Sequence, residues 1–173
     1  MNMFSCIMKI MNITLTPMSP DDRESVMDIF NYYIENSYAA YPEQTLPYEF
    51  FDIFLSMCQG YPTAIARSDE GETIGFGLLR PYNPLPAFSK TAEITYFLEP
   101  EFTGRGIGKA ILEHLIDEGK KQGLITILAS ISSLNEWSIH FHKKHGFVEC
   151  GHFKKICRKN GKVFDIVYMQ KML

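Results

Sequence analysis

Apolar residues along the chain recur now at every second position and now at every third or fourth, and these switches divide it into alternating strands and helices. Ile10 to Leu15 alternates like a short first strand. Ser19-Pro20-Asp21-Asp22 then reads as a helix start, with a Ser cap, Pro at the first helical position and acidic groups at the positive end of the dipole. Val26, Ile29, Phe30 and Tyr33 follow at helical spacing, and the helix should stop near Asn36. A second helix carries Phe50, Phe51, Phe54 and Leu55 between Pro47 and Gly60, after a loop over 37–46 rich in Tyr and Pro. Thr63–Arg67 and Thr73–Leu79 form a strand pair around the polar loop 68–72, and Ala92–Leu98 is the next strand. Gly104–Gln122 is the strongest helix, apolar at Ile107, Ile111, Leu112, Leu115 and Ile116 and closed by Gly123. Leu124–Ile131 is nearly all apolar, as a strand covered on both faces should be. Asn135–His145 is a short helix ended by Gly146. Phe147–Phe153 and Val163–Met169 are the last strands, with Asn160-Gly161 as a tight-turn signal between them. The order β-α-α-β-β-β-α-β-α-β-β predicts an α/β or α+β fold, one sheet flanked by helices.

Composition sharpens this picture. The chain has 173 residues, 46% hydrophobic and 13% aromatic, enough for one domain with a substantial core. Residues 10–173 read as that domain and residues 1–9 as an N-terminal extension. With 17 basic against 20 acidic residues, a net charge of −3 leaves no electrostatic footprint for nucleic acid. Cys6, Cys58, Cys150 and Cys157 contain no C-x-x-C pair, which disfavours a zinc knuckle or a disulfide scaffold and fits a cytoplasmic protein with reduced thiols. The apolar stretch Met1–Met11 has its lysine, Lys9, after rather than before the hydrophobic part, unlike a signal peptide. No run is long enough to span a membrane.

The chemistry is concentrated in residues 92–109, where a strand runs through a loop containing Gly104, Gly106 and Gly108 directly into a helix. Glycines there let backbone N–H groups approach a ligand, and the helix N-terminus adds unpaired donors and partial positive charge, a combination suited to a pyrophosphate. A Walker A loop would need Gly at Thr103 and Ser or Thr at Ala110. A dinucleotide fingerprint from Gly104 would need Gly at Lys109.

The spacing of Gly106 and Gly108 resembles the Gln/Arg-x-x-Gly-x-Gly/Ala pattern that closes the fourth strand of the GCN5-related N-acetyltransferases, with Thr103 at the position usually taken by Gln or Arg. Downstream, the run from Asn135 through Ser138 to Gly146-Phe147 resembles that superfamily's N-x-x-[SA] helix, so the resemblance spans roughly Ile10 to Leu173. Within the superfamily the chain looks most like the phosphinothricin acetyltransferase-like enzymes. Residues 31–37 resemble their first helix, Thr91-Ala92-Glu93 resembles their T-x-E strand entry, and His142 stands where they carry His. Their strand-three to strand-four loop usually carries basic residues. Here it reads Pro81-Tyr82-Asn83-Pro84-Leu85-Pro86, with Arg80 and Lys90 at its edges.

This resemblance implies a single mixed, mostly antiparallel sheet of six to seven strands with about four helices. It implies acetyl-CoA as co-substrate, no metal, a small-molecule primary amine as acceptor, direct attack without a covalent intermediate, and a homodimer. It carries over Glu93 as base and His142 as acid. It also implies that the pantetheine arm lies against the main chain of Tyr96, Phe97 and Leu98, and the pyrophosphate against Gly104, Arg105, Gly106, Ile107, Gly108 and Lys109. Asn135 would hold the arm, Lys144 the phosphate end, and Tyr38 and Arg80 the acceptor. An attacking amine with a pKa of ~10.4 must first lose a proton, which is why a base is needed. Each assignment has a plainer counterpart: a strand-end ion pair for Glu93, a packed ring for His142, a solvent-facing lysine for Lys144. Tyr38, Tyr41 and Tyr48 suit an acceptor pocket or a dimer surface, Trp137 suits helix packing, and Lys154, Lys155, Arg158, Lys159 and Lys162 suit a solvated hairpin tip or a phosphate patch. A non-catalytic acyl-CoA-binding module and a protein lysine or N-terminal acetyltransferase are the competing functions.

Overall fold

The computed structural model describes residues 12–173; the expected extension 1–9 and the beginning of the strand expected at Ile10 lie outside the described residues. The elements are β1 (Thr14–Thr16), α1 (Arg23–Asn36), α2 (Phe51–Met57), β2 (Thr63–Arg67), β3 (Thr73–Pro81), β4 (Thr91–Leu98), α3 (Ile107–Lys121), β5 (Thr126–Ser132), α4 (Glu136–Lys144), β6 (Val148–Lys159) and β7 (Lys162–Met172). The strands form one seven-stranded sheet in the order β1-β2-β3-β4-β5-β7-β6. Every neighbouring pair is antiparallel except β4 and β5, which the crossover helix α3 joins in parallel. This is the mixed, mostly antiparallel sheet expected from the sequence.

Alternation along the strands splits the core into two layers. Ile65, Phe76 and Leu78 face α1 and α2, packing with Val26, Met27, Ile29, Phe30, Ile34, Phe51 and Phe54. Ala64, Ala66, Leu79, Ala92 and Ile127 face the other way, under Ile107, Ile111, Leu112 and Leu115 of α3. The small residues on the α3 side bring helix and sheet close together. A Cβ added at Gly77 would lie 2.5 Å from Ile111 Cγ2 and 3.0 Å from Leu115 Cδ1. Each fully buried aliphatic side chain of α3 contributes about 1.5–3 kcal/mol, so this face holds the crossover in place.

Local departures from the sequence expectation have local causes. The first helix begins as a 3-10 turn at Pro20–Asp22, where the buried Asp22 carboxylate accepts from the Ser19 amide at 2.7 Å and pairs with Arg67. α3 begins at Ile107 rather than Gly104 because Gly104 and Gly106 adopt φ of 74° and 85°, outside the helical region. β6 runs on to Lys159 instead of ending near Phe153. Its pairing with β7 continues past a register shift around Lys155, which has a φ of 54°, and into the Asn160-Gly161 turn. Trp137, expected in the packing of α4, is 87% exposed.

Candidate active site

β4 and β5 pair only over Thr91–Glu93 and Thr126–Leu128. Beyond Glu93, β4 continues to Leu98 and β5 continues to Ser132 paired only with β7, so the two strands part. The gap between them opens into a cavity of about 580 Å³, within the size range of small-molecule sites. Its walls include Ile94, Thr95, Tyr96 and Phe97 from β4 and Ala129, Ser130, Ile131 and Ser132 from β5. Phe30 and the 39–42 segment close one side, and Asn135, Ser138 and His142 of the α4 region close another.

Glu93 stands at the fork. It is 8% exposed, and its Oε2 lies 3.0 Å from Nη2 of Arg80, its cross-strand neighbour on β3. Burial raises the Glu93 carboxyl above the usual carboxylate range, and the Arg80 guanidinium opposes that rise. A carboxylate that holds its proton more tightly than usual is a stronger base, so both the place and the chemistry suit proton removal from an ammonium. Arg80, expected to bind an acceptor carboxylate, does line the cavity, with part of its fork engaged by Glu93.

His142 also lines the cavity, but not as the protonated acid expected of it. Its ring is 3% exposed, and Nδ1 lies 2.7 Å from the Ser138 carbonyl. A carbonyl only accepts, so Nδ1 carries the hydrogen. In the neutral ring Nε2 is then bare and accepts from the Tyr96 hydroxyl at 2.8 Å. Burial lowers the His142 pKa to about 4. At neutral pH the side-chain donor of this pair is therefore Tyr96, a residue that the sequence pointed to only for its main chain. Burial pushes the Tyr96 phenol upward, so it stays protonated.

The cofactor residues named from the sequence lie along one path. β4 leads through the 3-10 turn Pro100–Phe102 and the positive-φ glycines to the N-terminus of α3. Gly106 and Gly104 have nothing within 4 Å of an added Cβ, so their backbone faces open space. Gly108 lies against Leu98 and Phe141, which brings the start of α3 beside α4. Asn135 caps α4, its Oδ1 accepting from the Ser138 amide at 3.1 Å, and the residue also lines the cavity. The Leu98 carbonyl accepts the Tyr33 hydroxyl at 2.8 Å, tying α1 to the end of β4. Arg105 is exposed, with its guanidinium 5.1 Å from the Phe102 ring centre. Lys109 faces Glu113 at 3.6 Å, and Lys144 is exposed in the last turn of α4. An open strand edge feeding a glycine turn and a helix N-terminus suits an extended thioester arm ending in phosphates. Among the described residues no group of three or more His, Cys, Asp or Glu is placed to hold a metal ion, and no helix is long and apolar enough to cross a membrane.

Tyr38, the other expected acceptor residue, lies outside the cavity wall. Its ring packs 5.5 Å from that of Phe164 under the Lys162 ammonium. Tyr41 takes the place in the wall, its hydroxyl 3.4 Å from the Ser130 carbonyl and its pKa raised by burial to about 12. Tyr48 bonds Asp28 on the surface.

The chain is similar to known acetyltransferases in sequence and in overall fold. The chain is 32% identical over 112 residues to an L-methionine sulfoximine/L-methionine sulfone acetyltransferase of Pseudomonas paraeruginosa (strain DSM 24068 / PA7), over 65% of this chain and 65% of that protein's length. It is 26% identical over 156 residues to the L-amino acid N-acyltransferase MnaT of Escherichia coli (strain K12), covering 88% of this chain and 89% of the relative. Among solved structures, a GNAT superfamily phosphinothricin acetyltransferase from Sinorhizobium meliloti in complex with AcCoA superimposes with a TM-score of 0.88 at 28% identity, over 93% of this chain and 88% of that one. The family model described as Acetyltransferase (GNAT) family matches residues 26–147, which takes in the fork, the glycine turn and α4, and the chain belongs to that family.

Proposed function

We propose that the protein transfers the acetyl group of acetyl-CoA to the primary amine of a small, amino-acid-like compound by direct attack within a ternary complex. The observation that carries this reading is the fork: a buried carboxylate, Glu93, sits where β4 and β5 part, and the open edge of β4 leads to the glycine turn at the start of α3. Acetyl-CoA, when bound, supplies an activated acyl group. The chain's own residues do the rest. Glu93 takes the ammonium proton, directly or through a water. Arg80 holds that carboxylate in place and offers its remaining N–H groups to an acceptor anion. Main-chain N–H groups of Tyr96 and Leu98, on the edge of β4 turned away from β3, hold the thioester arm and stabilise charge developing on its carbonyl oxygen, whereas the Phe97 N–H expected beside them is taken up in the ladder with Phe76 of β3. Such an effect is worth about 2.7–4 kcal/mol where a single donor has been removed in another enzyme. The Tyr96 hydroxyl, which in the resting site donates its one hydrogen to Nε2 of neutral His142, can swing that hydrogen to the departing sulfur and stabilise the thiolate by a hydrogen bond while itself staying protonated. The thiolate then takes the second proton lost by the attacking nitrogen. The acylating relatives, whose names specify amino acids or their analogues, support the acceptor class.

Calorimetry with acetyl-CoA, paired with thiol release over a panel of amino acids and their sulfoximine and phosphinate analogues, tests the reading. Binding by the wild type, lost in Gly106→Trp, together with thiol release for one amine class, is the expected result. An absence of acetyl-CoA binding refutes the function; binding without turnover on any amine, small or peptidic, leaves only a cofactor-binding module.

A further inference from the structure

Lys159 occupies the last position of β6, beside the Asn160-Gly161 turn, and is 0% exposed. Its neighbours in the basic cluster suited a solvated tip, yet this lysine is turned inward. Its Nζ donates to the carbonyls of Ile34 at 2.5 Å, Ser37 at 2.8 Å and Ala40 at 2.7 Å. An ammonium has three N–H donors, and here each has a carbonyl. Ile34 lies in the last turn of α1, where carbonyls lack intrahelical partners and a positive charge complements the helix dipole. A buried ammonium is tolerated only when its donors are satisfied. The contact is therefore selective: it holds the chain from 34 to 40 in the one conformation that presents all three carbonyls.

Other contacts dock the same hairpin tip on the same segment. The Asn160 amide donates to Glu43 Oε1 at 2.7 Å, and Phe164 of β7 packs against the rings of Tyr38 and Tyr41 at 5.5 and 6.3 Å. The segment so held supplies Ala39, Ala40, Tyr41 and Pro42 to the cavity wall. We infer that Lys159 is a positioning residue for the acceptor: by pinning the α1 exit it fixes the 39–42 wall against which the amine substrate is seated. This rests on the acetyltransferase reading and extends it to a residue that need not touch the substrate. The elements that would hold acetyl-CoA, namely β4, the glycine turn and α4, are not among the groups that the Lys159 amine bonds.

Lys159→Met keeps the length of the side chain and removes its donors; Glu43→Ala removes the second tie from an exposed position. In Lys159→Met, KM for the amine should rise about tenfold or more while kcat changes less than about threefold, and acetyl-CoA affinity should stay at the wild-type value. Amide hydrogen exchange in 37–42 should accelerate in both variants, more in Lys159→Met. Unchanged amine KM and unchanged exchange in a folded Lys159→Met protein would overturn the inference, as would an equal loss of acetyl-CoA affinity, which would mean general loosening. If Lys159→Met does not fold, Glu43→Ala decides on the same two readouts. If the wild type acetylates no amine, the proposed function has failed, and the exchange measurement still decides whether Lys159 holds the segment.

Discussion

Replacing Glu93 by Gln separates what this side chain does for the reaction from what it does for the fold, because the two effects have opposite signs. Gln keeps the shape and a hydrogen-bond acceptor for Arg80, whose Nη2 lies 3.0 Å from Oε2, but it cannot take a proton. A positioned base contributes about 10²–10⁴ in rate, so kcat should fall by that factor, equivalent to roughly 2.7–5.4 kcal/mol of barrier. Stability should move the other way. Burial raises the folded-state pKa of Glu93, so between its unfolded and folded values the native state binds more protons, and stability falls as pH rises through that window. Above the window the wild type bears the cost of a buried charge that the amide avoids. Thiol release followed from pH 5 to 10 is the assay. The wild type should show an acid limb with an apparent pKa above the usual carboxylate range. The variant should lack it, and its deficit should shrink as pH approaches the pKa of the amine, where solution supplies the free base. A loss under about threefold with the acid limb retained would refute the assignment of Glu93 as base.

Two further substitutions probe the surroundings of the site. His142 has a folded pKa of about 4 against 6.5 unfolded, so it adds an acid-side penalty: stability conferred above pH 6.5 drains away toward pH 4, by roughly 3 kcal/mol in all. Urea unfolding of His142→Gln across that range should show a flatter slope, and an unchanged slope would refute a neutral buried ring. Gly77→Ala drives a methyl group to 2.5 Å from Ile111 Cγ2 under α3, and should cost about 1–3 kcal/mol by thermal unfolding.

Much of this architecture was legible in the sequence because local rules govern it. Alternation located β2 to the residue, the glycines marked the entry to α3, and Asn160-Gly161, with φ of 49° and 75°, made the turn its composition announced. Glu93 was singled out because its neighbourhood resembled a family pattern, and the structure puts it at the fork of β4 and β5. What stayed hidden depends on partners far along the chain. Lys159 meets carbonyls more than a hundred residues away, so a run of basic residues gave no sign that one of them points inward. The Tyr96–His142 bond spans 46 positions, and it reverses the donor role that the imidazole's usual pKa suggested. Tyr41 rather than Tyr38 lines the cavity, and both rings pack against Phe164, more than a hundred residues further along the chain, a contact that the loop's own sequence does not announce.

The exposed Trp137 has a practical consequence for optical work. It is the sole tryptophan of the chain and stands 87% exposed in the first turn of α4, next to the capping Asn135. Its indole already meets water in the native state, so its emission should be red-shifted before any denaturant is added and should barely move in wavelength on unfolding. A flat tryptophan trace would then be mistaken for a protein without a cooperative transition, whereas far-ultraviolet circular dichroism would follow the melting of the sheet. The same indole becomes a reporter of occupancy, since a ligand seated against Asn135 changes the surroundings of a fluorophore that folding leaves almost untouched.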